Sequence, residues 1–404
     1  MLSVLTPRRL LGRHVRRLAS EYKRLGDFSL AGKRVLIRED LNVPIKDGSV
    51  TSNARIRAAL PTIEHCLREK AAVVIMSHLG RPEKEAFDAK LSLRPVAKEL
   101  SAMLGIQVDL ISDWRRHLDV QPGVAVLIEN VRFEKGEASN ERDLGRAYAQ
   151  LCDIFVMDAF ATAHRAHAST HAVAKFADEA CAGPLLSAEL DVLARVLENP
   201  QRPLVAIVGG SKVSTKLNTL RSLADIADMI VVGGGIANTF LLAAGKPIGR
   251  SLAEPELVDV AESIIARSTV LEHVDVMTGA ELNDKVTARL CLADGVGEDD
   301  VIGDIGPQSA RRIAELVHNA GTVIWNGPVG IFEIDQFGEG TRLVAEAIAQ
   351  SPAFSIAGGG DTVAAIEKYE IEDEISYIST GGGAFLEFLG GLSLPALEVL
   401  ELRA

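Results

Sequence analysis

The 404-residue chain is poor in the features that most quickly betray a function. Its longest uncharged stretches, such as residues 204–211 and 229–245, are too short for a bilayer span or are broken by a glycine triplet, so no transmembrane helix is expected. Cysteine is sparse. Cys66, Cys152, Cys181 and Cys291 lie far apart, with no Cys-x-x-Cys pair and no zinc-type spacing to histidine, which fits reduced thiols in a cytoplasmic protein. Positive charge is in deficit. At a formal net charge of -12, the chain lacks the surplus Lys and Arg that displace counterions from nucleic acid or an anionic membrane, and neither is expected as a partner. What is present, 47% hydrophobic and 24% charged residues, is ordinary globular composition, and the length suggests two or three domains.

The charge is unevenly divided. Residues 1–188 hold 28 Lys and Arg against 23 Asp and Glu, whereas residues 189–404 hold 15 against 32. The contrast suggests two domains with different tasks. Residues 1–19 stand apart, with Arg8, Arg9, Arg13, Arg16 and Arg17 and no acid before Glu21. This basic extension reads as a disordered tail, an organellar leader or the product of an upstream start.

From Lys33 onward, short β-branched runs alternate with helical segments. The runs at 34–38, 72–76, 125–128, 154–157, 204–208, 229–232, 322–325, 354–357 and 375–379 read as buried parallel strands. Helical periodicity covers 55–70, 93–104, 215–226 and 307–320 among others. The expected fold is α/β: two doubly wound parallel-sheet (Rossmann-like) domains joined by a hinge helix at 187–197, where Leu190, Leu193, Ala194 and Leu197 share a face. Residues 20–186 with about 385–404 would form one domain, and 187–384 the other.

Four glycine clusters follow strands: Gly209-Gly210-Ser211-Lys212, Gly233-Gly234-Gly235, Gly358-Gly359-Gly360-Asp361-Thr362 and Gly381-Gly382-Gly383. At the carboxyl ends of parallel strands such turns bring backbone N–H groups and helix N-termini against anions. A tight turn explains any one of them, but four in the same position point to phosphate binding. No Walker A loop, Gly-x-Gly-x-x-Gly fingerprint or protein-kinase element occurs, so another phosphate-binding fold is required.

In the first half Arg38 and Asp40 alternate at the end of a strand with Asn42 beyond, while His78, Arg81, Arg132 and Arg165 follow other strands. Loops at this end of a parallel sheet converge, and guanidinium groups there suit a ligand carrying phosphate and carboxylate. His164, His167 and His171 could share a helix face, but Arg165 among them opposes a metal.

Residues 34–44, Ser77-His78-Leu79-Gly80-Arg81-Pro82, Glu129-Asn130-Val131-Arg132-Phe133, Asp158-Ala159-Phe160 with Thr162-Ala163-His164-Arg165, Gly209 to Val213, Trp325-Asn326-Gly327-Pro328-Val329-Gly330, Gly358 to Thr362 and Ser379 to Gly383 together resemble the phosphoglycerate kinases, bacterial in flavour. The likeness runs from about residue 28 to the end. It implies a monomer that exchanges phosphoryl between ATP and the carboxylate of 3-phosphoglycerate, giving ADP and 1,3-bisphosphoglycerate, with Mg2+. By matching motif, Asp40, Asn42, Arg55, His78, Leu79, Gly80, Arg81, Arg132 and Arg165 would hold phosphoglycerate. Gly210, Lys212, Lys216, Gly234, Asn326, Pro328, Glu333, Gly359, Gly360, Asp361 and Thr362 would hold nucleotide, with Asp361 on the metal. Arg38, Lys212 and Gly381, Gly382 and Gly383 would act on the transferring group, with Lys212 opening a helix.

Two residues depart from the pattern. Glu39 stands where a small or apolar residue is usual, and Ala161 replaces a glycine. Strand alternation turns Glu39 away from Arg38 and Asp40, and Ala161 matters only if positive φ is needed there. A non-catalytic anion sensor and an NAD-dependent dehydrogenase are the competing readings. The first would be favoured by loss of Lys212, Arg38 or Asp361, all present, and the second by a dinucleotide fingerprint, which is missing.

Overall fold

The computed structural model describes residues 22–404 except residue 117, so the expected tail at 1–19 lies outside the described residues. It divides into two compact units, residues up to 193 with 393–404, and residues 194–392.

The first unit is built on a six-stranded parallel sheet. Its strands are β1 (Arg34–Arg38), β4 (Ala72–Met76), β5 (Val108–Ile111), β6 (Ala125–Ile128), β7 (Ile154–Met157) and β8 (Glu179–Ala182), in the order β5-β6-β4-β1-β7-β8. A two-stranded hairpin, β2 (Ile45–Lys46) with β3 (Ser49–Val50), lies outside it. The sequence reading missed β5 and β8. The order runs outward in both directions from β1, so the chain reverses its winding there, and the loops after β1, β4, β6 and β7 bound the crevice where such folds bind ligands. Along β1, Val35 and Ile37 enter a core with Ile56, Ile63, Val96 and Leu100, and period-2 alternation sends Leu36 and Arg38 to the opposite face. Helix Arg94–Leu104 shows how local sequence sets the elements. Pro95 sits in its first turn, where no N–H is needed, and Gly105 at φ 66 ends it. Helix Pro395–Glu401 joins this unit through Ala396 N–H to Ala163 O at 3.1 Å.

The second unit carries β9 (Leu204–Val208), β10 (Met229–Val232), β14 (Thr322–Asn326), β15 (Phe354–Ala357) and β16 (Tyr377–Ile378), parallel in the order β10-β9-β14-β15-β16. Winding reverses between β9 and β14. Strand β16 is shorter than the expected 375–379, because Ser355 and Ser376 bond each other's backbone N–H through their hydroxyls (3.1 and 2.9 Å) in place of a ladder. Beside this parallel sheet the unit carries strands that the sequence reading did not include. Strands β11 (Asp275–Gly279), β12 (Arg289–Leu292) and β13 (Val301–Ile305) form an antiparallel sheet. It was invisible because β12 is mostly exposed and β11 and β13 carry the buried carboxylates Asp275 and Asp304 within the strands.

The boundary between units falls within helix Pro184–Glu198, which contains the expected connector. Among the described residues no helix is long and apolar enough to cross a membrane.

Candidate active site

In the first unit the expected anion-binding residues do come together. Arg38 ends β1 and is 1% exposed. Its Nε donates to Ser169 Oγ at 3.0 Å, Nη1 to the Glu39 carbonyl and Nη2 to His78 Nδ1 at 3.3 Å. Asp40 pairs with Arg55 at 3.0 Å and accepts from the Asn42 N–H at 3.2 Å. Arg55 in turn donates to the Asn42 carbonyl at 2.9 Å, and Asn42 Oδ1 accepts from the Gly80 N–H at 2.8 Å. Leu79 is buried, pinned on both sides of its peptide by Asn130 at 3.2 and 2.8 Å, and Arg132 donates to the Gly80 carbonyl. The loop after β4 is thus locked to those after β1 and β6.

A cavity of about 350 Å³ opens beside this network, lined by Arg81, Lys84, Arg132, Glu137, Arg165 and His167 among others. Its electrostatics are those of an anion site. Burial, then the neighbouring Arg165, Arg38 and Arg81, pulls the Arg132 pKa down to about 10. Burial, then Arg38, Arg132 and Arg165, hold His78 well below its ordinary value and bring His167 down to about 4, so both imidazoles are neutral at pH 7. The three histidines of the 164–171 segment do not share a face. His164 accepts from Arg165 Nε at 3.0 Å, His167 lies 3.8 Å from Glu137, and His171 meets Asn140 at 2.8 Å.

In the second unit the glycine turns converge around Asn326, at the end of β14. Its carbonyl accepts from Gly209 N–H at 2.9 Å, its Nδ2 donates to the Gly358 carbonyl at 2.6 Å, and its Oδ1 accepts from Lys216 Nζ. Burial brings the Lys216 pKa down to about 8, with Asp361 acting in the opposite sense. Gly234 has φ 63, and a Cβ there would stand 2.7 Å from the Gly210 carbonyl oxygen. Gly359 has φ 105 and caps helix Gly360–Lys368, with Asp361 exposed in its first turn and Thr362 Oγ1 accepting from Gly327 N–H at 2.7 Å. Gly382, first residue of helix Gly382–Leu389, faces Gly359, so the fourth cluster joins the third. Pro328 is half-buried against Gly209, and Glu333 is exposed.

One expectation is corrected: Lys212 does not open a helix. It sits exposed in a loop, and the helix begins at Leu217. Glu254 holds this segment, its carboxylate accepting from the Ser214 N–H at 2.8 Å and from the Ser214 hydroxyl at 2.6 Å. Glu254, Glu137 and Ser169 were missed by sequence reasoning. No local pattern marks a carboxylate whose partner is 40 or 32 residues away.

Comparison with known proteins decides the family: residues 25–392 match phosphoglycerate kinase. The chain belongs to the phosphoglycerate kinase family. The structure of phosphoglycerate kinase from Coxiella burnetii is 52% identical, with a TM-score of 0.91 over 95% of this chain and 100% of that one. The crystal structure of phosphoglycerate kinase from Pyrococcus horikoshii OT3 is 32% identical, with a TM-score of 0.79 over 94% and 100%. The chain is accordingly a kinase, and ATP and 3-phosphoglycerate are the substrates its family implies.

Both departures from the family pattern can now be placed. Ala161 lies in the 3-10 turn Phe160–Thr162 and has no positive φ, so the missing glycine costs no backbone strain. Glu39 is fully buried beside Asp158, and its pKa is raised well above the ordinary value by burial first and Asp158 second; Asp158 is itself pushed up to about 6. A carboxyl whose folded pKa is raised stabilises fully below its unfolded pKa and loses that contribution as pH rises. Glu39→Leu should therefore raise the melting temperature, more at pH 8 than at pH 5, by an amount equivalent to about 1–3 kcal/mol at pH 8. Steady-state kinetics should change little, and equal melting shifts at both pH values would refute the buried-acid account.

Proposed function

We infer that the chain catalyses reversible transfer of the γ-phosphoryl group of ATP to the carboxylate of 3-phosphoglycerate, giving ADP and 1,3-bisphosphoglycerate. The observation that carries this reading is the cavity of clustered guanidinium groups and the neutral His167, beside a network of hydrogen-bonded loops, in a chain that also holds a four-glycine-cluster cradle. ADP formation from ATP, dependent on 3-phosphoglycerate and followed in a coupled assay, tests it. ATP hydrolysis indifferent to phosphoglycerate would overturn it.

On this reading Arg81, Arg132 and Arg165 take the phosphate and carboxylate of phosphoglycerate, with Asp40, Asn42, Arg55, His78, Leu79 and Gly80 shaping the pocket. The acceptor carboxylate is ionised at neutral pH, so the reaction needs no general base, consistent with a His78 too depressed in pKa to act as one. Arg38 is buried and held by three acceptors, which makes it a fixed positive charge behind the pocket. Lys212, exposed on its clamped loop, and the N–H groups at Gly381, Gly382 and Gly383 are the groups directed at the transferring phosphoryl. Gly210, Lys216, Gly234, Asn326, Pro328, Glu333, Gly359, Gly360 and Thr362 hold the nucleotide. Because the two sets of residues belong to different units, the reaction requires the units to bring their ligands in line and exclude water from the acyl phosphate. We propose a monomer acting in the cytoplasm, with domains at 20–186 plus about 385–404 and at 187–384.

The donor set suits Mg2+. Asp361 offers one exposed carboxylate beside glycine turns for phosphates, and this cation is usually held by one or two carboxylates plus substrate oxygens. When bound, the ion neutralises charge on the phosphates. Asp361→Ala should raise the magnesium concentration needed for half-maximal rate and lower activity about tenfold or more. A magnesium titration that superposes on the parent's would remove Asp361 from this role.

A further inference from the structure

Glu137 is 1% exposed yet borders the arginine cavity, where an ionised carboxylate would repel an anionic ligand. Its hydrogen bonds explain its place. Both carboxylate oxygens are taken by Ser169, Oε1 by the hydroxyl at 2.5 Å and Oε2 by the N–H at 3.0 Å. Ser169, in the π-helical turn Ala168–Ala172, is itself fully buried, and the same hydroxyl accepts from Arg38 Nε at 3.0 Å. The chain Arg38 Nε–H to Ser169 O–H to Glu137 has one donor direction throughout. Together with the bonds to the Glu39 carbonyl and His78 Nδ1 it holds the Arg38 guanidinium in one orientation, and its carboxylate end is enclosed in low dielectric, where such bonds are strong.

We propose that Glu137, acting through Ser169, is a positioning residue for phosphoryl transfer, holding the Arg38 guanidinium in register behind the phosphoglycerate pocket. The inference rests on reading that cavity as the phosphoglycerate site. Around Glu137 stand Arg38 from β1, Arg132 from the turn Val131–Phe133, Tyr148 from helix Arg142–Ala149, and Arg165 and His167 from the segment after β7. Glu83, Lys84 and Glu85 reach the cavity from the loop after Arg81, and Glu134 acts on Tyr148. Burial pushes the Glu137 pKa up to about 7, against Ser169 and Arg38, so its charge changes in the working pH range.

The test compares the parent with Ser169→Ala, Ser169→Thr and Glu137→Gln between pH 6 and pH 8, alongside Arg132→Ala as a check on the site itself. Ser169→Ala should lower kcat about tenfold with the KM for ATP within twofold, and Ser169→Thr should restore it. The parent is expected to show an inflection near pH 7 in kcat/KM for phosphoglycerate, and Glu137→Gln should abolish it; the substrate's own ionisation is common to both proteins and cancels in their ratio. A purely structural role predicts a lower melting temperature with the parent's pH profile retained, and that result overturns the proposal. If Arg132→Ala weakens phosphoglycerate binding while both Ser169→Ala and Glu137→Gln match the parent, the proposal fails and the site stands. If Arg132→Ala leaves binding intact, the site reading fails with it. Should the Glu137 or Ser169 variants not fold, the parent decides alone. Its Arg38 Nε–H signal in arginine-labelled protein, assigned by loss in Arg38→Lys, should titrate near pH 7, and a signal invariant from pH 6 to pH 8 overturns the proposal.

Discussion

Lys212→Ala is expected to lower kcat and kcat/KM together by about a hundredfold, with substrate affinities almost unchanged. A preorganised group directed at developing charge contributes about 3 kcal/mol to the transition state, and a contact made mainly there leaves ground-state binding alone. The local structure suits that role. The loop bearing Lys212 is anchored by the Ser214–Glu254 clamp and by Thr215 Oγ1 on the Lys212 carbonyl at 2.8 Å, so its backbone is fixed while the exposed side chain can follow a group in motion. A lysine that merely solvates the loop predicts a nearly normal kcat. Steady-state kinetics with both substrates, and melting to confirm folding, separate the two. A folded variant within about threefold of the parent, less than 1 kcal/mol by rate arithmetic, would make Lys212 a bystander.

Arg132→Ala should raise the phosphoglycerate Kd by at least about tenfold, because a charge-assisted hydrogen bond contributes roughly 1.5–3 kcal/mol. ATP affinity should be unaffected. The melting temperature of the free protein should hold or rise, since loss of the bond to the Gly80 carbonyl is offset by relief of the guanidinium's burial and of repulsion from Arg165, Arg38 and Arg81, the causes that depress the Arg132 pKa. Binding and stability thus move in opposite directions, the signature of a residue kept for its ligand. Calorimetry with each ligand, paired with thermal melting, reads both. A variant that loses ATP affinity instead, or loses stability without losing phosphoglycerate, would place Arg132 outside the anion site.

Much of this protein was legible in one dimension because its signals are local. Buried parallel strands such as β4 and β9 are continuous apolar runs, and turns such as Gly358 to Gly360 mark their carboxyl ends, where such folds bind ligands. Arg38 and Asp40, two apart, and the loop residues His78 and Arg81 belong to one crevice by the topology of parallel sheets alone, so the site's membership could be written down before its geometry. The antiparallel β11 to β13 sheet could not, since exposed β12 and the buried Asp275 and Asp304 erase the alternation that reveals such strands. Tertiary structure also decided what each charge does. Arg38 is a buried fixed charge held by Ser169, 131 residues on, which accepts from it, and the loop bearing Lys212 is held by Glu254, beyond two helices and a strand, which accepts from the Ser214 N–H. Hydrogen bonds between residues so distant leave no trace in the intervening sequence. Composition and periodicity determined which elements form and which residues gather at their ends; burial and long-range bonding determined which of those residues are exposed, which are held, and at what pKa.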